Sequence, residues 1–414
     1  MGATPFIPAD VRRRTGIRAG FGPVPPVLLA AWPFPDTAQH NDGSRSGPCP
    51  HTGGRPAVMA HDAHSGARET SPPVAPRAGG GAAAQGVGEG RAHAKVILLG
   101  EHAVVYGAPA VALPVPGLGC RVRVARRDRD GHGLLGFRFT PVPPGVPSGS
   151  PARLPRTPEG VIPEGLRILS EAVLRLTGPR IAPGVDVHVE SGVPLGRGLG
   201  SSAACARALV HALDDLFELG LGEDVVFRYV QMAENTAHGR ASGIDAWTTG
   251  ANGPVLLADG RISTPPVGAD CWIVVVDSGT GASTREAVGM LRERFAKDPG
   301  RRDAFLAHST ALARRALFDL EHGRLRELGS ALTDSHTLLA GLDLTTDRTD
   351  SLVDASIRVG ALGAKMSGGG LGGCVIALLP DRTAADTAAA RLTREHGVRC
   401  WITPLPKGDG NVDV

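Results

Sequence analysis

The densest cluster of residues able to do chemistry is Pro194-Leu-Gly-Arg-Gly-Leu-Gly-Ser-Ser-Ala-Ala204. Its glycines permit positive φ and let a ligand come close to the backbone. Ser201 or Ser202 stands where a helix should begin, and a helix N-terminus offers free N–H groups and a positive dipole end to an anion. Gly196, Arg197, Gly198, Leu199, Gly200, Ser201 and Ser202 therefore form a candidate polyphosphate cradle built mainly from backbone. An ordinary tight turn with a serine cap fits the same residues. No Gly-Lys-Ser/Thr is present, so this is not a Walker-type loop.

Three further constellations bear on the choice. Lys95 is flanked by Val96, Ile97 and Leu98 and precedes Gly100-Glu-His-Ala-Val-Val-Tyr-Gly107. Burying a lysine there is costly unless it meets an anion, the alternative being an edge lysine that reaches solvent. Only four of the 44 basic residues are lysines (Lys95, Lys297, Lys365 and Lys407), so arginine is used wherever a bare positive charge suffices. Glu234 and Asp245 bracket a second segment. Glu234 sits near a helix C-terminus, where the dipole disfavours a carboxylate unless a cation such as Mg²⁺ is close. Asp245 follows a Ser-Gly turn and is either held at the edge of the core or caps a helix. Finally, Lys365-Met-Ser-Gly-Gly-Gly-Leu-Gly-Gly373 is a second glycine-rich loop, which implies close backbone approach to something or else only a linker. It contains the dinucleotide spacing Gly368–Gly373, but an apolar strand rather than a helix follows, so that reading fails on context.

The elements that must position these groups are legible in the hydrophobic pattern. Strands are expected at Ala94–Leu99, Ala110–Val115 and Val185–Glu190, the last alternating with a period of two. Helices are expected at Leu166–Leu176, after the first glycine loop as far as Gly220, and at Asp224–His238. A strand at Cys271–Val276 opens the second half. Helical patterns follow at Ser283–Phe295, Asp303–His322, Leu325–Leu339 and Leu352–Leu362. A β-α-β pattern closes the chain at Cys374–Leu379, Ala384–His396 and Val398–Thr403. Mixed strands and helices in both halves indicate an α+β protein of two domains.

Composition narrows the function class. A net charge of +3 over 414 residues offers no basic field for nucleic acid or an anionic membrane. Six scattered cysteines, with no paired spacing, read as reduced thiols of a cytoplasmic protein. No apolar run approaches a membrane span. Residues 1–88 hold 14 Gly and 13 Pro, the composition of a disordered extension, and Met59 offers an alternative start. Order is expected from about Arg91, with a long surface loop at Pro141–Pro158.

Taken together, these motifs resemble the GHMP kinase superfamily. The lysine strand with Gly-Glu-His, the Pro-x-x-x-Gly-Leu-Gly-Ser-Ser loop and the late glycine-rich loop occur in family order from about residue 89 to the end. Within the superfamily, Lys95–Gly107 and His238-Gly-Arg-Ala-Ser-Gly-Ile-Asp245 are similar to the mevalonate kinases. The resemblance implies a GHMP fold with an N-terminal ribosomal-S5-like domain (89–266) and a C-terminal ferredoxin-like domain (267–414). It implies ATP and Mg²⁺, with mevalonate as the phosphorylated alcohol in isoprenoid biosynthesis, and a homodimer is compatible with it. Residue by residue, it implies Asp245 as base and Lys95 as the cation that stabilises the γ-phosphoryl group. Ser202 and Glu234 would hold Mg²⁺, and Gly196–Ser201 would wrap the triphosphate with Ser191 nearby. Glu101, His102, Ser242 and Gly369 would meet the substrate. A phosphomevalonate kinase, or a diphosphomevalonate decarboxylase of the same fold, stays open as an alternative.

Overall fold

The computed structural model describes residues 86–127, 135–142, 162–177, 184–239, 241–281 and 283–410. The expected extension, up to residue 85, and most of the expected loop at Pro141–Pro158 lie outside these residues.

Two sheets organise the described chain. The first contains β1 (Val87–Leu99), β2 (Ala110–Arg126), β3 (Leu135–Pro141), β4 (Val185–Ser191), β5 (Val255–Ala258) and β6 (Arg261–Ser263). The long strand β2 is its spine. It pairs antiparallel with β1 along one side, and with β4 and then β5 at opposite ends of the other, while β3 joins β4 in parallel. The second sheet is fully antiparallel in the order β10-β7-β9-β8, from β7 (Cys271–Asp277), β8 (Gly363–Ser367), β9 (Cys374–Leu379) and β10 (Arg399–Leu405). Strand β1 starts at Val87, four residues before the expected onset of order.

Helices α1 (Glu164–Leu174), α2 (Ser201–Phe217) and α3 (Glu223–His238) cover the first sheet through a core of Val122, Val124, Val187, Leu209 and Val230. Helix α2 ends at Phe217 with Glu218 in the left-handed conformation, so the stop comes before the expected Gly220. The short α4 (Ile244–Thr248) follows. In the second half come α5 (Thr284–Lys297), α6 (Pro299–Glu321), α7 (Leu325–Ala340), α8 (Asp347–Arg358) and α9 (Arg382–His396). Helices α8 and α9 pack on one face of the second sheet. Its other face meets the first sheet directly: Val96 and Leu98 of β1 and Leu113 of β2 share a core with Ile273, Val275 and Ile376, flanked by α6 and α7.

The expected Leu352–Leu362 helix runs instead over Asp347–Arg358, because Thr346 forms a capping box with Thr349 one turn upstream. The larger difference concerns Lys365. The sequence places it at the start of a loop, but Gly363–Ser367 is a buried strand at the end of the second sheet, and the five glycines form its hairpin connection to β9. Its alternation is hidden because both faces of β8 are covered.

Candidate active site

The site grows from the free edge of β1. Three outward backbone N–H groups of this strand, at alternate residues, reach three different segments. His93 donates to the Thr249 carbonyl, Lys95 to the Leu199 carbonyl and Ile97 to the Ser367 hydroxyl. One strand thereby sets the spacing between α4, the first glycine loop and the β8–β9 hairpin. A cleft of about 270 Å³ opens where these segments meet.

Lys95 is 3% exposed, and its Nζ lies 3.0 Å from Asp245 Oδ1. The edge-lysine reading is thereby excluded. So is the capping reading of Asp245, since Gly243 occupies the N-cap of α4 and no side chain caps it. The carboxylate stays one-third exposed to the cleft while its partner is buried, so the pair presents an acceptor at the surface and a cation beneath it.

Gly200 lies directly against this lysine. It has φ +70°, and a Cβ there would come within 2.8 Å of Lys95 Cγ, so no other residue fits unshifted. The two glycine loops also touch each other: a Cβ on Gly368 would sit 2.7 Å from Gly198 Cα. The close approach implied by the second loop is therefore to the first loop, and the two support one another as a backbone wall.

Gly196, Gly198, Gly200, Ser201 and Ser202 line the cleft. Helix α2 starts at Ser201, and no side chain satisfies its first N–H groups. Arg197 and Leu199 turn away from it. Arg197 Nε lies 2.9 Å from the buried Asp277, and Leu199 is in the core shared by the two sheets. Ser191 is not in the cleft wall; its hydroxyl accepts the Val193 N–H at the end of β4.

Glu234 is buried on α3 and lines the cleft, and its Oε1 has no partner. Burial pushes its carboxyl up to about 7, reinforced by the Asp245 charge and opposed by a hydrogen bond from Ser202 and by the Lys95 charge. Such a group at a polyphosphate site either carries a proton or faces a cation.

On the opposite wall, Glu101 is ion-paired with the fully buried Lys365. His102 adopts φ 60° and donates from Nε2 to the Gly369 carbonyl at 2.9 Å. Burial holds its imidazole down at about 4, so it is neutral and keeps Nδ1 as an acceptor. Ser242 lines the cleft, as does Gly369, although the Gly369 carbonyl is engaged by His102. The structure thus brings together every expected site residue except Ser191 and the side chains of Arg197 and Leu199.

It also adds residues the sequence reading missed. Gln231, His238, Thr284 and Arg285 line the same cleft. Arg285 donates to the Ala237 and Thr236 carbonyls at the C-terminus of α3. The one sequence signal for this region was Ser283, a serine N-cap bonded to the Glu286 N–H. It marks a helix start but not which wall that helix faces.

Comparison with known proteins agrees with this construction. Residues 166–251 match the family model for the GHMP kinases N terminal domain, and residues 314–399 match that for the GHMP kinases C terminal. A mevalonate kinase of Pyrococcus horikoshii is 34% identical over 300 residues, covering 70% of this chain and 88% of the relative. A mevalonate kinase of Thermococcus sibiricus is 33% identical over 317 residues, covering 73% and 92%. The crystal structure of L. major mevalonate kinase in complex with R-mevalonate superposes with a TM-score of 0.63 at 23% identity, covering 78% of this chain and 98% of that one. The share of each relative that is matched, together with a cleft assembled from all three motif segments, shows that this chain belongs to the GHMP kinase family, within its mevalonate kinase group.

Proposed function

We propose that this protein is an ATP-dependent kinase that transfers the γ-phosphoryl group of ATP to a hydroxyl of mevalonate, forming 5-phosphomevalonate and ADP. The observation that supports it best is the Lys95–Asp245 pair at 3.0 Å beside the glycine loop. Phosphoryl transfer asks mainly for positioning and charge stabilisation. Asp245 accepts a hydrogen bond from the substrate hydroxyl, aligns its oxygen and takes its proton as the new O–P bond forms and the bond to ADP breaks. Lys95, buried and adjacent, lowers the cost of negative charge on both that oxygen and the phosphoryl group. The backbone of Gly196–Ser202 and the start of α2 hold the phosphates.

The donor set also fits Mg²⁺. Glu234 Oε1 is a buried carboxylate oxygen without a partner, with the Ser202 hydroxyl beside it. Magnesium prefers oxygen ligands and takes the rest of its shell from phosphate and water. Ser202 and Glu234 would hold the ion, which would supply charge neutralisation for the bound phosphates. Without such a cation, Glu234 would repel the nucleotide.

Glu101, His102 and Ser242 form the wall on which mevalonate is placed. Cytoplasmic location belongs to the same reading, supported by the free thiols of Cys120, Cys205, Cys271, Cys374 and Cys400. Among the described residues no helix is long and apolar enough to cross a membrane.

The test is ADP release with mevalonate, phosphomevalonate, homoserine and galactose as acceptors. Turnover is expected with mevalonate, and Asp245→Asn should lower kcat by at least about a hundredfold while ATP still binds. Turnover with another acceptor alone would overturn the substrate, and near-full kcat in Asp245→Asn would overturn the role of that residue.

A further inference from the structure

Lys365 has no part in the reaction derived above, yet it is fully buried. Burial pulls its pKa down, and an ammonium in that position persists only when paired. Its partners are the Glu101 carboxylate, itself 1% exposed, and the Met366 carbonyl at 2.7 Å. The ion pair spans the two sheets, from β8 to the turn that follows β1.

A plain structural staple does not account for it. The β8–β9 hairpin already grips this part of the chain twice with neutral hydrogen bonds. The Ser367 hydroxyl bridges the N–H and carbonyl of Ile97, and Gly369 accepts from His102. A buried ion pair is seldom more stabilising than an apolar pair of the same shape, so attachment alone gives no reason for two charges. What the lysine adds is a grip on one carboxylate oxygen that fixes where the other one lies. Only Oε1 of that carboxylate is used. Oε2 is buried, without a partner, and belongs to a residue that lines the cleft. An unpartnered buried carboxylate oxygen calls for an explanation, and at the wall of the cleft a substrate hydroxyl is a group that would complete it.

Resting on the kinase reading above, we propose that Lys365 is a positioning residue: it holds Glu101 by one oxygen so that the other accepts a hydrogen bond from a second hydroxyl of the substrate. Mevalonate carries two hydroxyls; Asp245 takes the one that is phosphorylated, and Glu101 reads the other. An acceptor with a single hydroxyl leaves Oε2 unpaired in the bound complex and is discriminated against for that reason.

A double-mutant cycle tests this through Lys365→Met, Glu101→Gln and the combined variant, with KM measured separately for mevalonate and ATP. Lys365→Met and Glu101→Gln should each raise KM for mevalonate by about tenfold or more, and KM for ATP should stay within about twofold. Combining them should cost no more than Glu101→Gln alone, because Lys365 acts through Glu101. Multiplying effects, an unchanged KM in Lys365→Met, or equal losses for both substrates would each overturn the proposal. Should either single variant fail to fold because it strands the buried charge of the other residue, the combined variant, which carries neither charge, decides the matter. In it, a raised KM for mevalonate at an unchanged KM for ATP supports the proposal, and an unchanged KM for mevalonate overturns it. The wild-type acceptor panel is run first. If another alcohol proves to be the substrate, the proposed function fails there, and the same cycle is read on that alcohol.

Discussion

At the scale of single residues, the cleft places two carboxylates in opposite electrostatic situations. Asp245 has Lys95 at 3.0 Å, whereas Glu234 is buried with an unpartnered oxygen and its carboxyl is pushed up to about 7. The sign of the resulting pH effects follows directly. In the free protein, Glu234 keeps its proton from its ordinary 4.5 up to about 7, a window in which the unfolded chain has lost it. Its contribution to stability is therefore present below 4.5 and is lost as pH rises through 7. Cation binding runs the other way, because the metal competes with the proton. The apparent affinity for Mg²⁺ at fixed ATP should fall as pH drops below 7, approaching about tenfold per unit. Glu234→Gln should bind Mg²⁺ weakly and lose this slope. A slope that survives in Glu234→Gln would assign the proton to another group.

At the scale of elements, the site depends on backbone meeting backbone. Gly200 and the Gly198–Gly368 contact leave no room for a Cβ, and they let two loops and a lysine occupy one small volume. Gly200→Ala meets both the positive φ and the collision with Lys95, and should cost about 1–3 kcal/mol. It should also lower kcat, because Lys95 is displaced. Gly220 supplies the comparison: it has φ +65° and nothing within 4 Å of a built Cβ. Gly220→Ala should lose stability through strain alone and keep its kcat. Thermal melts with steady-state rates on both variants check this, and a kcat loss in Gly220→Ala equal to that in Gly200→Ala would remove the special place of Gly200. Part of this was legible in advance. The strand–glycine–helix order around Gly196–Ser202 was readable because turn chemistry is local. That Arg197 and Leu199 face away was not, since a loop of positive-φ glycines carries no period from which to assign faces.

At the scale of the whole molecule, the two sheets are joined by a common core. Leu98 is buried among residues of both, together with Ile273, Val275 and Ile376. The residues that line the cleft come from both halves, so the cleft keeps its shape only if the sheets move as one. Leu98→Ala should cost about 2–5 kcal/mol and shift a single cooperative unfolding transition. Two transitions by calorimetry, with only one displaced, would show that the halves unfold independently.

By itself the sequence determined the order of the main helices and most of the long strands, the α+β class, the candidate phosphate-binding loop and the candidate carboxylates and lysine. Each of these rests on local period, turn residues or a motif within a dozen residues. Only the tertiary structure decided what those residues do to one another. It paired Lys95 with Asp245, left Glu234 with a bare oxygen, and made β8 a strand whose Lys365 reaches 264 positions back to Glu101. Such pairings are set by burial and by the edge of β1, which hands alternate N–H groups to three distant segments. Neither leaves a periodic trace in the chain. The physical reason is that hydrogen-bond and charge partners are chosen after the core has excluded water, when an unpaired group becomes costly and sequence distance no longer matters.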